Sequence, residues 1–380
     1  MYRLLLNIVL LTIAFLVLVA ASANNEKHGP HTEPEHGHHT NHGPLSPKVM
    51  IVTGFQPEHD IWLPYNFTQD IPVMGFLPMN QNVSCTSTGD VCVMTMGQCE
   101  IGNAIAMTLL WSSSLFDLTE SYWLIAGIAG INPRHSTIGS VVLSKYVVEV
   151  EIGMAFAGSD LPANYSDQYF FAYFQDIPSS YPSIVGTEVY ELNEALRDKV
   201  ATLASKYSFN DNPTAASYRS RYEYRAARAY PGISKCDVAS AQTYWSGKVY
   251  AENVEYYTNL VSNGTAVYCS TDEDDTGTMA GLFRGAMMKK VDFSRIVVMK
   301  GSSNFDRPPP GISAYENLLV VSQNGYESAL INMFGVGSAF INDVVAEWET
   351  TYGPGINATN YVGDICGYLG GTPDFGYGHC

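Results

Sequence analysis

The chain has 380 residues, of which 46% are hydrophobic, and its formal net charge at pH 7 is −17. So acidic a chain repels nucleic acids and anionic membrane surfaces, which excludes nucleic-acid binding through phosphate contacts. Residues 49–133 contain no lysine or arginine, so a site built there must accept a neutral or cationic ligand or hold an anion through backbone amides.

The N-terminus has the layout of a secretory signal peptide. Arg3 precedes an apolar run from Leu4 to Ala20, and the small residues Ala21 to Ala23 follow it. This order predicts a signal peptide at residues 1–23 and a secreted or cell-surface protein. The run approaches the roughly 18 residues of a membrane helix, so a retained signal anchor is the alternative. We expect no other membrane span, which excludes a multi-span channel and, after cleavage, membrane insertion.

Residues 24–46 are predicted to form a disordered linker, because they contain almost no large apolar side chains. Six of the nine histidines of the chain lie there: His28, His31, His36, His38, His39 and His42. We favour a solvated spacer over the alternative, a metal-scavenging tail. No metal site is predicted in the rest of the chain.

Sequons and cysteines agree with export. The sequons begin at Asn66, Asn82, Asn164, Asn263 and Asn357. Seven cysteines leave one thiol free or paired between chains. We expect local disulfides, one between Cys366 and Cys380 and one between two of the three cysteines Cys85, Cys92 and Cys99. No C-x-x-C pair supports a zinc ribbon or a thioredoxin-type site.

Residues 47–380 contain no second linker and no repeat, which favours one large domain. Strand-like apolar runs cover residues 49–53, 91–96, 122–126, 140–150 and 296–299. Helical patterns cover residues 103–115, 188–207, 276–289 and 325–348. This alternation predicts an α/β fold around a largely buried sheet.

The first predicted strand ends at Gly54, and Glu58 follows four residues later. Ligands of α/β proteins bind at the carboxyl ends of strands, where a glycine lets the backbone approach them closely. Glu58 is therefore the first candidate for chemistry. An ordinary tight turn with a solvated acid is the alternative.

Three further motifs follow predicted strands. Residues Gly127 to Gly130 predict a turn whose amides can hold an anion or a hydroxyl group. The acidic residues 272–275 precede a helix, where they either bind a cation or sugar hydroxyls or form a solvated cap. Residues Met299 to Arg307 direct Asn304 or Asp306 towards the same crevice. Neither a dinucleotide fingerprint nor an EF-hand spacing is present.

In this order, the motifs resemble the nucleoside phosphorylase and nucleosidase superfamily, and within it the purine nucleoside permease family. The family's opening strand, glycine and acid are similar to Ile51 through Glu58, and its glycine-rich turn into a helix is similar to Gly97 through Ala104. Its glycine-alanine-glycine segment is similar to Gly127 through Gly130, and its last strand end is similar to Ser303-Asn304. Further stretches similar to the permeases are Cys236-Asp237, Thr243 to Gly247 and Glu273-Asp274.

The resemblance covers essentially the whole mature chain. It implies a nucleoside phosphorylase-like α/β fold with three α/β/α layers and a mixed central sheet. It also implies cleavage of the N-glycosidic bond of purine nucleosides, without a cofactor, through an oxocarbenium-like ribosyl centre. Relatives commonly assemble so that neighbouring chains complete the pocket, which makes a homo-oligomer compatible with the resemblance.

The resemblance also assigns roles to residues. Asn304 would contact the base at N7 or its exocyclic group, and its amide suits a 6-oxopurine because it both donates and accepts hydrogen bonds. Tyr244 and Trp245 would flank the base. Asp275, or Asp274 beside it, would accept hydrogen bonds from the ribose 2′ and 3′ hydroxyls. The pocket for the sugar and the nucleophile would be lined by Gly54, Ala129 and Gly130.

The missing basic residues favour hydrolysis over phosphorolysis. Phosphorylases bind phosphate through arginines from early strand-end loops, and here none precedes Arg134. Glu58 would repel phosphate but can orient and deprotonate a water molecule. Arg134 keeps phosphorolysis open as an alternative.

Two non-enzymatic alternatives remain: a nucleoside-binding protein that serves uptake, and a scaffold whose site has decayed. Ile128 stands where relatives frequently have serine, and Asp274 where they often have methionine. Both departures are compatible with the alternative of a scaffold whose site has decayed.

Overall fold

The computed structural model of this protein describes residues 43–77, 81–156, 158–160, 162–163, 170–172, 181–376 and 380. The predicted signal peptide, most of the predicted linker and the sequon at Asn164 lie outside these residues. The end of the predicted linker takes part in the fold, because the N–H of Leu45 donates to the carbonyl of Leu115 at 2.9 Å.

The strands are β1 (Val49–Thr53), β2 (Phe67–Pro72), β3 (Asn82–Thr86), β4 (Val91–Thr95), β5 (Tyr122–Ile131), β6 (Val141–Leu143), β7 (Tyr146–Glu149), β8 (Gly153–Ala155), β9 (Phe170–Ala172), β10 (Val189–Glu191), β11 (Ile233–Ser234), β12 (Asp237–Ser240), β13 (Tyr268–Asp272), β14 (Ile296–Phe305) and β15 (Gly363–Asp364). The α-helices are α1 (Gln56–Asp60), α2 (Glu100–Ser112), α3 (Glu194–Ala204), α4 (Pro213–Arg219), α5 (Lys248–Val261), α6 (Asp275–Met287), α7 (Ala314–Leu319) and α8 (Tyr326–Ala346). Short 3₁₀ turns lie at Leu63–Tyr65, Gly158–Asp160 and Phe293–Arg295, and a π turn lies at Trp348–Tyr352.

The main sheet is mixed, as the resemblance implies. Its hydrogen-bonded neighbours follow the order β15-β10-β7-β12-β13-β5-β1-β4-β3-β2, with β14 against β5 and β6, and β11 against β6. Strand β1 runs parallel to both β4 and β5, and β14 runs parallel to β5. The pairs of β3 with β2 and β4, and of β10 with β7 and β15, are antiparallel. Strands β8 and β9 pair separately.

Helices cover both faces of the sheet, so the three-layer prediction is confirmed. Alternate residues of β1 point to opposite faces, as the two-residue period of a strand requires. Met50 and Val52 belong to one core, which includes side chains of α2 and α6. Val49 and Ile51 belong to the other core, which includes side chains of α3 and α8.

The close approach of α6 to α2 depends on glycine. A Cβ atom at Gly277 would lie 2.2 Å from the backbone oxygen of Glu100, and one at Gly281 would lie 2.5 Å from the Cβ of Met107. No real side chain fits at these distances. The small-residue start of α6 therefore places the preceding acidic residues directly beside the start of α2.

Helix α8 corrects one expectation. Within the part of the chain that the structure describes, α8 is one helix with the length and apolar composition of a membrane span. The sequence analysis expected no such stretch after the leader, and by this measure it was wrong. In the fold, one face of α8 is buried in the core against the sheet, through Met333, Val336, Phe340, Ile341 and Val344.

Two strands are longer than predicted. Strand β5 continues through Gly127 to Ile131, so the predicted glycine turn is wrong. Strand β14 continues to Phe305, and its ladder with β5 runs from the pair Ile296 and Trp123 to the pair Phe305 and Ile131. Pairing of β5 with the distant strand β14 keeps these glycines extended. The sequence of either strand alone does not show this pairing.

The predicted helix at 188–207 is wrong at its start. Residues Val189–Glu191 form β10 and pair with β7. Helix α3 begins only at Glu194, where the side chain of Asn193 accepts the N–H of Leu196 at 3.2 Å. The local cap and the partner strand together override the apolar periodicity that predicted one continuous helix.

Both predicted disulfides are confirmed: Cys85 pairs with Cys92, and Cys366 pairs with Cys380. A third disulfide joins Cys236 to Cys269, and it was not predicted. Cys99 is the free thiol.

Candidate active site

A cavity with about 830 Å³ of empty space, open to solvent, lies beyond the ends of β1 and β13 and beside the last residues of β5 and β14. Eight of the nine residues predicted for the site line it: Gly54, Glu58, Ala129, Gly130, Tyr244, Trp245, Asp274 and Asn304. The ninth, Asp275, is completely buried and does not belong to the wall. The fold therefore brings together segments that are as much as 250 residues apart, Gly54 and Asn304.

Glu58 is a buried acid and not a solvated one, because its side chain lies in the short helix α1 with 3% of its surface exposed. Its two carboxyl oxygens accept the N–H groups of Gly54 and Ile128, each at 2.7 Å. Burial raises the pKa of Glu58 to about 7, against the opposing effect of the Ile128 N–H. Both protonation states are therefore accessible near neutral pH, as a general base requires.

The glycines at the strand ends make room for carboxyl groups. A Cβ atom at Gly54 would lie 3.0 Å from Oδ2 of Asp274 and 3.3 Å from Oε2 of Glu58. A Cβ atom at Gly127 would lie 3.1 Å from Oε1 of Glu58. A side chain at Gly54 would crowd the carboxyl groups of Asp274 and Glu58, and a side chain at Gly127 would crowd that of Glu58.

Asp274 is placed by its neighbour Asp272, the last residue of β13. Oδ1 of Asp272 accepts the N–H groups of Asp274 and Asp275 at 2.8 Å and 2.7 Å. This contact fixes the first turn of α6, of which Asp274 is the N-cap residue. The acidic segment is thus a helix cap that also presents Asp274 to the cavity.

Lys300, from β14, supplies a positive charge that the sequence analysis missed. Its Nζ atom lies 2.6 Å from Oδ2 of Asp272 and 2.7 Å from Oδ1 of Asp275, and 2% of its side chain is exposed. Burial lowers the pKa of Lys300, but the neighbouring aspartates raise it well above its ordinary value. The sequence signal that could have identified Lys300 is its position directly after the apolar run Ile296 to Met299, at the end of a predicted strand.

Three aspartates, Asp272, Asp274 and Asp275, have carboxyl oxygens within 4.8 Å of one another, as in a cation site. The ammonium group of Lys300 already contacts two of them. It supplies the positive charge that a metal ion would bring.

Arg134 does not line the cavity. Its guanidinium group binds Glu252 at 2.5 Å and Glu255 at 2.6 Å. Charged groups on the cavity wall are the carboxyls of Glu58, Asp272, Glu273 and Asp274, and the ammonium of Lys300. The cavity therefore has more acidic than basic groups.

The opposite part of the cavity is formed by amide and hydroxyl groups. The hydroxyl of Ser303 lies 2.8 Å from Oδ1 of Asn304 and can donate to it. Gly130 donates its N–H to Oγ1 of Thr271 at 2.8 Å, and a Cβ there would lie 3.4 Å from Nδ2 of Asn304. Tyr244 also lines the cavity, with 51% of its surface exposed, and the side chain of Asn304 acts to lower the pKa of its hydroxyl.

Trp245 is buried beside Tyr244 and stacks on Tyr250, with 5.6 Å between ring centroids and 11° between ring planes. One face of its ring is therefore already covered.

A family model described as purine nucleoside permease matches residues 46–357 of the chain. The chain belongs to the purine nucleoside permease family. A purine nucleoside permease of Candida albicans is 38% identical over 337 residues, which are 87% of this chain and 83% of the relative. A probable purine nucleoside permease of Schizosaccharomyces pombe is 32% identical over 320 residues, 80% of this chain and 91% of the relative. The family resemblance found in the sequence is confirmed.

Solved structures similar to this permease-family chain include two enzymes of Helicobacter pylori. A 5′-methylthioadenosine/S-adenosylhomocysteine nucleosidase is 14% identical with a TM-score of 0.46, and the match covers 78% of this chain and 99% of the enzyme. A futalosine hydrolase is 14% identical with a TM-score of 0.47, and the match covers 79% of this chain and 98% of the enzyme.

Proposed function

We propose that this permease-family protein binds purine nucleosides in the cavity and cleaves their N-glycosidic bond with water, releasing base and ribose. The observation that carries the proposal is the state of Glu58. Its carboxyl group is buried, held by two backbone N–H groups and has a pKa of about 7. A base of this kind can take the proton of an attacking water molecule.

The two parts of the cavity suit the two parts of a nucleoside. The carboxyl groups of Glu58 and Asp274 suit the ribose, because Asp274 can accept hydrogen bonds from its hydroxyls. Negative charge there also stabilises the positive charge that develops on the sugar in the transition state. The amide of Asn304 suits the edge of the purine, which presents both donors and acceptors. Tyr244 would cover the base.

Water is favoured over phosphate as the nucleophile by the charges of the wall. A phosphate ion beside Glu58 would lie among carboxyl groups, and the ammonium of Lys300 is already within 2.7 Å of two aspartates. Arg134, the residue that kept phosphorolysis open, is engaged by Glu252 and Glu255. In the proposed step, the C1′–N bond breaks and its electron pair goes to the base, while the water oxygen bonds to C1′ and gives one proton to Glu58. The departing base takes up one proton, so that neutral base and ribose are released.

We also propose that the protein acts in the secretory pathway or outside the cell. Three disulfides support this, since they are typical of oxidising compartments.

The second candidate is a protein that binds purine nucleosides for uptake without cleaving them. The names of the relatives favour it, because both matched proteins are called purine nucleoside permeases. The same cavity serves this function, and Glu58 would then contact the sugar as an acceptor only.

One experiment separates the candidates. The purified protein is incubated with inosine, guanosine and adenosine, with and without phosphate, and free base is measured. Hydrolysis predicts base release at equal rates in both buffers, with ribose as the second product. Release that requires phosphate would establish phosphorolysis. Tight nucleoside binding without any base release would overturn the enzyme and support the uptake protein.

A further inference from the structure

Among the described residues, the cavity wall has more carboxyl groups than ammonium groups. Four carboxyl groups line it, those of Glu58, Asp272, Glu273 and Asp274. The one ammonium that the described residues bring to the wall, that of Lys300, contacts Asp272 and the buried Asp275, and its Nζ atom lies 3.9 Å from Oδ1 of Asp274. Buried charges are little screened by salt, so a carboxyl group on this wall that loses its proton acts directly on a bound ligand.

Several of these carboxyl groups hold a proton more tightly than an exposed carboxyl group does. Burial raises the pKa of Asp274 well above its ordinary value, and the nearby Asp272 raises it further. Burial also raises the pKa of Glu273, with a contribution from Asp272. Protons here take the place of a positive charge that the wall does not supply, and a cationic ligand can replace them.

The part of the cavity proposed for the base offers no strong acid to Asn304. Its Oδ1 accepts from the hydroxyl of Ser303 at 2.8 Å, and the neighbouring Tyr244 carries a second hydroxyl. Burial raises the pKa of Tyr244 above its ordinary value, so this hydroxyl is a weak proton donor. A neutral purine leaves more readily after protonation, whereas a base that is already cationic needs no proton.

We propose that the cavity prefers nucleosides whose base carries a fixed positive charge, such as N7-alkylated purine or N-ribosylpyridinium compounds, over neutral nucleosides. This inference rests on the proposed function of the same cavity. Water adds to C1′ and gives its proton to Glu58, which returns it to solvent. The C1′–N bond breaks, and its electron pair neutralises the charge of the ring, so the reaction releases one proton and needs no other reactant.

The preference must depend on pH. Among the described residues, the ionisable groups that face the cavity carboxyls are Glu58, Cys99, Asp272, Glu273, Asp274, Asp275, Lys300, Tyr244 and Tyr326. A bound cation lowers the pKa of the carboxyls and expels protons, so affinity for the cation rises with pH. A neutral ligand of the same shape lacks this coupling.

The probes are nicotinamide riboside, whose ring is cationic, and its reduced dihydro form, whose ring is neutral and nearly identical in size. Dissociation constants are measured calorimetrically at pH 5.5 and 7.5 in a Glu58→Gln background, so that ligand is not consumed. We expect the cation to bind at least tenfold more tightly at pH 7.5, with proton release, and the ratio to shrink at pH 5.5. Equal affinities at both pH values would overturn the inference.

A matched pair of charge variants locates the effect. Glu273→Gln removes a half-buried carboxyl from the wall, and Glu349→Gln removes an exposed one outside it. We expect the first to reduce the affinity ratio of cationic to neutral probe severalfold and the second to leave it unchanged, whereas equal effects would assign the preference to net charge and refute a cavity origin.

Inosine is tested in parallel: if it binds or is cleaved while the preference is missing, the inference fails and the proposed function stands. If neither inosine nor the cation binds, the proposed function fails as well.

Discussion

The Nζ atom of Lys300 lies 2.6 Å from Oδ2 of Asp272, and the other oxygen of the same carboxylate accepts the N–H of Asp274 at 2.8 Å. Lys300 and Asp272 are almost completely buried. One ion pair therefore links β14 to the start of α6. Through this pair, a lysine that does not need to touch the ligand determines where Asp274 lies.

Replacing Lys300 tests this link. Lys300→Met leaves the buried carboxylates of Asp272 and Asp275 without their counter-ion, which costs about 3 to 5 kcal/mol when one partner of a buried pair is removed. The pKa values of these carboxyls in the folded variant are then higher than in the folded wild type, so its stability falls more steeply as pH rises. Chemical denaturation at pH 6 and pH 8 measures both effects.

Lys235→Met provides the control, because Lys235 contacts Asp198 at 3.3 Å on the surface and both side chains are nearly half exposed. Such a pair contributes about 0 to 1 kcal/mol. Similar losses in the two variants would show that the Lys300 pair has no special role.

Glu58→Gln is expected to abolish turnover and retain nucleoside binding. The amide keeps nearly the same volume but has no useful basicity, and loss of a general base costs about 10²- to 10⁴-fold in rate. The amide NH₂ must also face one of the two N–H groups that Glu58 now accepts, so we expect about 1 to 3 kcal/mol of lost stability. Base release and nucleoside affinity are measured on protein shown to be folded.

Glu58→Asp is the matched variant. It keeps a carboxylate but withdraws it from the cavity, so a reduced rate that still titrates is expected. Full turnover in Glu58→Gln would remove this residue from the mechanism.

The pH profile follows from the same side chain. Burial raises the pKa of Glu58 from 4.5 to about 7, so kcat/KM should fall tenfold per pH unit below about pH 7. The folded protein holds this proton more tightly than the unfolded chain does. Glu58 therefore removes about 3 kcal/mol of stability as pH rises from 4.5 to 7, and this loss is complete above pH 7. Denaturation curves of the wild type and Glu58→Gln across this range isolate the contribution, and a flat difference would contradict it.

Local patterns were sufficient for much of the fold and the site. Strand β1 has the predicted bounds, Val49–Thr53, because five buried apolar or β-branched residues end at a glycine. The strand-end motifs meet around one cavity, as expected when ligand-binding loops follow strands of one sheet. Knowledge of the family then added Tyr244 and Trp245, which no periodicity would have singled out, and assigned the base contact to Asn304.

Contacts between distant segments could not be predicted. Gly127 to Gly130 were expected to turn, but pairing with β14 holds them in β5. The sequence analysis found no basic residue in residues 49–133 and did not single out Lys300, which the fold brings to the cavity from another strand. Local sequence shows which residues follow a strand, but it does not show which other strand pairs with that strand.

The disulfide between Cys236 and Cys269 makes the same point and gives a stability test. It joins the segment before β12 to β13, two neighbouring strands, across 33 residues of sequence. A loop of this length predicts a loss of about 4 kcal/mol when both cysteines become alanine. For the seven-residue separation of Cys85 and Cys92, the same relation predicts about 2 kcal/mol. Denaturation of the two double variants compares them, and a larger loss for Cys85 and Cys92 would contradict this order.

Asn304 is the side chain most suited to choosing the base, because its Oδ1 is near the hydroxyl of Ser303 while its amide faces the cavity. Asn304→Ala should therefore lower kcat/KM unequally for inosine, guanosine and adenosine, by about 1 to 3 kcal/mol where an interaction is lost. Asn304→Asp replaces the amide with a group that can protonate N7, so it should favour adenosine relative to inosine. The kcat/KM ratios of the three nucleosides measure this selectivity, which separates a base contact from a general loss of packing. If all three substrates lose the same factor in both variants, Asn304 does not contact the base.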